Sequence, residues 1–493
     1  MTLRIYNTCT RKKEEFKPIT EGKVGIYVCG VTVYDSCHVG HARSALVFDV
    51  ITRYLKYRGY EVTFIKNFTD VDDKIIDKAK AIGLPFSEVA ERYIREHNED
   101  MDALGVERPT VAPRATDHID GMIRLIQALF EKGLAYQAGG DVYYAVDKFP
   151  SYGKLSGRGL DDMMAGARVD VNEKKSNPLD FALWKASKEG EPWWDSPWGK
   201  GRPGWHIECS VMSREFLGET FDIHGGGEDL VFPHHENEIA QSEGASGKPL
   251  ANYWIHNGFV RINSEKMSKS LGNTCSIRDM LGSCRPEALR LFMLQSHYRS
   301  PVDYTDSSLA EAKQGLDRLY STMQGIKEII AEKTDFSRVT MDSLPARHRG
   351  VLDRIEVFPA RFAEAMDDDF NTARALGYLF DAVRVTNTYL AEERAAVSAA
   401  TLFVLNRAKK HFEETGKALG LLGSDPDDYF LEARDREASV RGLATEEIER
   451  LIEERQQARA AKDWARADEI RRTLAEKKII LQDAGSSTTW KIE

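Results

Sequence analysis

His38 and His41 are two imidazoles three residues apart, and they open what the sequence predicts to be a helix. Behind them Leu46, Val47, Val50, Ile51, Tyr54 and Leu55 recur at helical spacing, and Gly59 stands where a C-terminal cap belongs. A helix N-terminus points unpaired N–H groups and the positive end of its dipole at whatever lies above it, which suits phosphate. Imidazoles on that turn can donate further hydrogen bonds to an anion. Gly40 lets a bulky ligand come close to the backbone. Far along the chain, Lys266-Met267-Ser268-Lys269-Ser270 forms a cationic, glycine-flanked loop. A third set of residues offers potential metal ligands. His234 and Glu238 are four apart in a helical pattern and project from one face; Cys29 and Cys209 offer sulfur. Thiolate, imidazole and carboxylate together suit tetrahedral Zn²⁺. On spacing alone His235, three before Glu238, is an equal candidate, and the cysteines could equally be small buried hydrophobes.

These residues need elements to hold them. Val24–Val28 is a β-branched run that suits a buried strand, and Glu61–Phe68 reads as a second. Val24–Phe68 is thus one βαβ unit with His38–His41 at its first turn. Leu3–Tyr6 and Phe16–Lys17 read as short strands ahead of it. Helical patterns follow at Asp73–Ile82, Phe86–Gly105 and Thr116–Lys132, then a hairpin over Ala135–Val146 turning at Gly139-Gly140. Tyr136–Pro203, where glycine, proline, charge and tryptophan mix, reads as an insertion. The sheet resumes with Phe221–His224 and Tyr253–Ile262, with a helix at His234–Glu243. From Pro286 the pattern is wholly helical: Leu309–Lys333, Ser343–Ala365, Asn371–Arg394 and Ala399–Leu421 alternate apolar and charged faces, as in a bundle. Gly423–Asp428 reads as a linker on composition. Two charged helices follow, Thr445–Lys462 and Trp464–Glu476, then strands at Ile479–Leu481 and Thr488–Ile492. Asp70, Asp72 and Asp73 open a helix and suit its dipole.

At 493 residues the chain exceeds one core and should divide into several domains. Its 42% hydrophobic content is ordinary for a globular protein. No apolar stretch reaches membrane-spanning length, and Met1–Tyr6 has no cationic region followed by an apolar run, so no signal peptide is expected. Six cysteines without paired spacing suggest a reducing compartment, so the expected location is the cytoplasm. A net charge of −10 argues against a protein that coats nucleic acid nonspecifically, while leaving room for local basic patches.

The histidine turn and the lysine loop, in this order, resemble the two signatures of class I aminoacyl-tRNA synthetases. Tyr27–Arg43, Asn67–Ile76, Gly201–Met212 and His224–Glu238 narrow the resemblance to the cysteinyl-tRNA synthetase family, over nearly the whole chain. It implies an α/β fold: a doubly wound, Rossmann-like parallel-sheet catalytic domain with an insertion, then an α-helical bundle and a small α+β C-terminal domain. The expected division is 1–135 and 204–308 for the two catalytic halves, 136–203 for the connective insertion, 309–422 for the bundle and 427–493 for an anticodon-binding domain. It further implies one zinc ion on Cys29, Cys209, His234 and Glu238, with Cys9, Cys37, Cys275 and Cys284 outside the set. Zinc gives a physical answer to telling cysteine from serine, which a hydrophobic pocket does poorly. A thiol becomes a zinc-bound thiolate readily, and an alcohol is the poorer ligand.

The implied reaction joins L-cysteine to tRNA(Cys) through a cysteinyl-adenylate made from ATP. Charge neutralisation falls to His38, His41, Lys266 and Lys269, with Mg²⁺ on the phosphates. Thr32 and Trp205 match positions lining the cysteine pocket; His224, Gly226 and Asp229 would approach the adenosine. Arg459, Trp464, Asp468 and Asp483 match anticodon contacts, in a segment where Arg455, Arg466, Arg471, Arg472 and Trp490 add to an arginine–aromatic composition suited to stacking RNA. Departures from the family pattern fall here: Lys478 replaces the usual glycine, Gln482 a common glutamate, and Ala484–Ser487 lacks the usual Pro-Gln-Gly. A monomer is expected. A ligase that joins cysteine to a small amine would keep the cysteine-activating residues without needing residues 427–493. A catalytically dead RNA-binding paralogue would have lost the signatures that are intact here.

Overall fold

The computed structural model describes residues 2–159, 175–262, 265–266, 275–332, 339–440, 442, 444–484 and 487–492. A hairpin of β1 (Arg4–Asn7) and β2 (Lys12–Glu15) precedes β3 (Lys23–Thr32), α1 (Val39–Tyr57) and β4 (Glu61–Thr69). After α2 (Asp73–Ile82), α3 (Phe86–Ala103) and α4 (Ile119–Glu131) comes an antiparallel sheet, β5 (Ala135–Ala138), β6 (Asp141–Tyr144), β7 (Phe181–Ala186) and β8 (Gly201–Pro203). Gly139 and Gly140 both have positive φ, as a two-residue hairpin turn requires. Then follow α5 (Trp205–Leu217), β9 (Phe221–Gly227), α6 (Glu236–Ser246) and β10 (Ala251–Asn257).

The central sheet runs in the order β10-β9-β3-β4, every neighbour parallel. Alternation along β3 and β4 separates two faces. A Cβ on Gly25 would meet Leu217 of α5, and Tyr27, Cys29 and Ile65 share one core with α4 and α5. On the other face a Cβ on Gly225 would meet Phe48 of α1. Helices therefore cover both faces, as a parallel sheet needs.

The strand expected over Tyr253–Ile262 is two. Gly258 crosses so close to Arg299 and Ser300 that a Cβ would lie 2.7 Å from their backbone, and β11 (Val260–Ile262) leaves the main sheet. It pairs instead with β12 (Glu265–Lys266) and β13 (Val302–Tyr304), which flank α7 (Ile277–Ser283) and α8 (Pro286–Leu294). The second N-terminal strand lies earlier than Phe16–Lys17, because Lys12–Glu15 pairs with β1 although its sequence has no apolar pattern.

The helical part holds α9 (Asp306–Glu332), α10 (Ala346–Asp367), α11 (Thr372–Glu393) and α12 (Ala399–Leu419). The corner after α10 is tied to the preceding part of the chain by three successive aspartates. Tyr54 Oη donates to Asp367 at 2.7 Å, Lys13 Nζ meets Asp368 at 2.6 Å, and Tyr298 Oη donates to buried Asp369 at 2.8 Å. The chain divides into two compact units, residues 1–317 with 335–421, and residues 318–334 with 422–493.

In the second unit Gly423–Asp428 is not a linker. It leads into α13 (Pro426–Val440), with Lys327 Nζ gripping Asp425 at 2.6 Å and Asp427 at 2.7 Å, and Tyr429 stacked on Tyr320. The unit continues with α14 (Thr445–Ala460), α15 (Trp464–Glu476) and the antiparallel pair β14 (Ile479–Ala484) and β15 (Ser487–Ile492) around a core of Ile448, Ile452, Ile470, Leu474 and Trp490.

Candidate metal centre and phosphate site

The residues expected to hold metal converge at the C-terminal ends of the sheet strands. The ligand atoms of Cys29, Cys209, His234 and Glu238 all lie within 4.8 Å of one another, and all four residues are buried. Cys29 ends the regular part of β3. Gly30 follows, and a Cβ there would lie 1.5 Å from Asn67 O, so only glycine lets β3 and β4 close at this point. Asn67 then ties the cluster together: its Oδ1 accepts from Gly30 N at 2.8 Å and lies 3.6 Å from Cys209 Sγ. Cys209 comes from α5, whose cap Gly204 presses against Ala182 so tightly that a Cβ would meet its carbonyl at 2.0 Å.

His234 does not sit on the regular helix that the sequence suggested. Residues Val231–His235 form one wide turn interrupted by extended Phe232, and α6 starts at Glu236. His234 Nε2 still reaches Glu238 Oε1, at 3.1 Å. Its Nδ1 is 2.8 Å from His206 Nδ1, which fixes the ring and keeps Nε2 directed at the cluster. Trp205 lies against His234 with centroids 4.2 Å apart and the rings tilted by 31°.

A second set shares two of these ligands. Cys29, His224, His235 and Glu238 are equally close. His224 Nε2 is bonded to Glu238 Oε2 at 2.8 Å, and His235 Nδ1 to His256 Nε2 at 2.8 Å. The first set offers two sulfurs, and His224 then serves as the outer partner that orients the carboxylate.

Charge supports a cation here. Burial alone would raise Glu238, but His224 and His234 outweigh it and hold the carboxyl well below its usual range. Burial raises the Cys29 thiol, with Cys209 and Glu238 adding to it. Burial also pushes Cys209 up, yet hydrogen bonds from Cys29 and His234 bring it down to about 6. One thiolate and one carboxylate thus share a site from which water is excluded. Tyr27 Oη, Asn67 Nδ2, His224 Nδ1 and His235 Nε2 are buried around it without hydrogen-bond partners among the described residues. Donor set, charge and unspent polar atoms all fit Zn²⁺.

At the turn that follows β3, His38 caps α1. Its Nδ1 accepts from Gly40 N and His41 Nδ1 accepts from His38 N, each at 3.2 Å, with the rings stacked 3.8 Å apart. An Nδ1 that accepts from an amide bears no proton, so both rings carry theirs on Nε2, the nitrogen a phosphate would use. The residues after the lysine loop return here. Val39 N donates to Cys275 O, and Ile277 N to Cys37 O. Lys266 is the last residue of β12, whereas Lys269 lies outside the described residues.

Thr32 closes β3 opposite Thr69, whose hydroxyl donates to Glu208 at 2.7 Å. Gly226 is needed for packing, since a Cβ would meet His235 and Leu230 at 2.9 Å. Asp229 is exposed on the turn that follows. The His224 ring is fully buried against Glu238 and Trp254, on the metal side. His206 and Asn67 were missed. Only its place three before Cys209 on one helix marks His206, and nothing local marks Asn67.

In the second unit Trp464 is 60% exposed at the start of α15, with Arg459 and Asp468 also exposed. Asp483 lies on β14 opposite Thr488. Trp490 and Arg455 are buried, so they belong to the core and are not RNA platforms. Arg466 is engaged by Glu454 and Glu469.

Comparison with solved structures places the fold. Mycobacterium tuberculosis methionyl-tRNA synthetase in complex with methionyl-adenylate superposes with a TM-score of 0.63 at 17% identity, over 83% of this chain and 96% of that one. The Agrobacterium radiobacter LeuRS in its ternary complex with tRNA gives 0.57 at 12% identity, over 83% and 87%. The fold is that of the class I aminoacyl-tRNA synthetases. Family profiles match in order: "tRNA synthetases class I (C) catalytic domain" over residues 15–314, "DALR domain" over 361–423 and "Cysteinyl-tRNA ligase anticodon binding domain" over 442–490. The cysteine--tRNA ligase of Geobacter metallireducens is 55% identical over 493 residues, and that of Thermodesulfovibrio yellowstonii 54% over 498, each match spanning 100% of both chains. The chain belongs to the cysteine--tRNA ligase family.

Proposed function

We propose that this chain ligates L-cysteine to tRNA(Cys) in two ATP-dependent steps, with one zinc ion on Cys29, Cys209, His234 and Glu238. The convergence of those four ligand atoms within 4.8 Å, with Cys29 on the same β3–α1 unit whose helix start bears His38 and His41, carries the reading. When bound, zinc supplies a soft Lewis acid that prefers the substrate's thiolate to serine's hydroxyl.

The rest falls to the protein. Cysteine's carboxylate attacks the α-phosphate of ATP and pyrophosphate leaves; a ribose hydroxyl of the terminal adenosine then takes the cysteinyl group. Nε2–H of His38 and of His41, with the positive end of α1, would meet the charge that spreads over the phosphates. Lys266 and Lys269 would close on the same charge, with Mg²⁺ on the phosphates. Thr32 and Trp205 are assigned to the cysteine pocket. Gly226 and Asp229 are assigned to the adenosine side, together with the backbone of His224, whose ring is committed to Glu238. Arg459, Trp464, Asp468 and Asp483 are assigned to the anticodon. The five-part division at 135, 203, 308 and 422–427 goes with these roles.

No helix among the described residues is long and apolar enough to cross a membrane. A cytoplasmic monomer is the form we assign. The small-amine ligase finds no support, since the anticodon-binding match over 442–490 is a part it would not need. Pyrophosphate exchange tests the reading. Exchange should depend on cysteine and not on serine, and equal exchange with serine would refute the zinc assignment.

A further inference from the structure

Alternation along β4 sends Asn67 toward the metal cluster and its neighbour Lys66 to the opposite face, beneath α1 and α3. On that face lies a cavity of about 150 Å³. Phe48, Phe64, Phe68 and Met101 line it, together with Lys66 and Asn98.

The charged groups around it are already spoken for. Glu107 pairs with Arg53 at 3.0 Å and Lys56 at 2.7 Å, Arg108 with Asp102, and Asp100 with Arg278 at 2.8 Å. His97 Nδ1 is 3.2 Å from the Cys37 thiol, and burial next to Lys66 brings that imidazole down to about 3, so it is neutral. The Lys66 ammonium has no ion-pair or hydrogen-bond partner among the described residues. Burial disfavours its charge, which an anion alongside would restore.

We propose that this cavity is a binding site for a small organic monoanion with a flat apolar body, its carboxylate on Lys66 and Asn98 and its ring among Phe48, Phe64, Phe68 and Met101. Apolar cavities of about 150 Å³ in other proteins take up benzene, so one six-membered ring fits and a nucleotide does not. A bare inorganic anion would gain nothing from four apolar walls, and a cation would meet Lys66. Phe48 belongs to α1, so the occupant would touch the helix whose first turn carries His38 and His41.

The test is calorimetric titration of the full-length, zinc-loaded protein with benzoate, benzyl alcohol and acetate, with ATP and cysteine present. Benzoate should bind once per chain, at least tenfold more tightly than either of the others. Lys66→Met should weaken benzoate at least tenfold and leave benzyl alcohol unchanged, whereas Met101→Trp, which fills the cavity, should abolish both. In the unaltered protein, benzoate should slow reductive methylation of Lys66, and benzyl alcohol should not. The proposal is overturned by absence of saturable benzoate binding, by displacement of benzoate by ATP or cysteine, by unchanged affinity in Lys66→Met, or by unprotected Lys66.

Discussion

Replacing Cys209 with serine separates the two overlapping ligand sets. The side chain is 2% exposed and serine is slightly smaller, so the fold should survive, with the hydroxyl placed to donate to Asn67 Oδ1, which lies 3.6 Å from the present sulfur. The ion's grip should not. Structural zinc sites with four ligands bind with about 10–16 kcal/mol, or roughly 2.5–4 kcal/mol per ligand. At about 1.4 kcal/mol per decade, loss of one ligand weakens zinc by about two to three orders of magnitude. Cys209 should sit at the upper end of that range, because its thiol is held at about 6 and releases its proton at neutral pH without help. The measurement is zinc content after dialysis against a graded chelator, read by mass spectrometry, with melting temperature alongside. Since zinc binds the folded state, weaker binding should also lower the melting point at limiting zinc. His224→Asn is the counterpart. It removes the hydrogen bond to Glu238 Oε2 and should cost about 10–100-fold in affinity, as outer partners do. If Cys209→Ser keeps zinc within tenfold of the parent while His224→Asn loses it altogether, the ligands are Cys29, His224, His235 and Glu238 and the assignment fails.

Gly30→Ala would drive a Cβ into Asn67 O and should destabilise the chain by about 3 kcal/mol or more by denaturant titration, with zinc lost; normal zinc content and stability would show that β3 and β4 can part here. Lys269→Ala should slow cysteine-dependent pyrophosphate exchange by about two to three orders of magnitude while cysteine binding changes little, and an unchanged rate would make the loop only structural. Trp464→Ala removes an exposed ring that would stack a base for about 1–3 kcal/mol, so the KM for tRNA should rise while pyrophosphate exchange holds; equal charging kinetics would remove Trp464 from the interface. Lys478, where the family usually has glycine, sits at φ +63°, and Lys478→Gly should gain about 0.5–1 kcal/mol, seen as a higher melting temperature of the second unit; a lower one would mean that the lysine side chain contributes more than its backbone costs.

Sequence periodicity reads well where a helix or turn is decided by its own residues. Asp73–Ile82 and Trp464–Glu476 have the expected bounds, and Gly139-Gly140 makes the expected hairpin. It reads poorly where one composition serves two ends. Gly423–Asp428 has the residues of a linker, but Pro at the first helical position with two aspartates behind it is equally a helix start, and Lys327 from a distant segment decides for the helix.

The metal cluster lay further from reach, because residue types alone left His235 level with His234 and could not bring Cys29 to Glu238. That meeting depends on β3 lying beside β9 in one register, with Tyr27 opposite His224. The same register explains where the His224 ring lies. Residues paired across parallel strands point to the same face, and Cys29 is two beyond Tyr27 on β3. His224 must therefore face the metal cluster, as its 5.4 Å centroid separation from Tyr27 and its bond to Glu238 confirm. Its conformation follows from a pairing between segments nearly two hundred residues apart, which local periodicity does not encode.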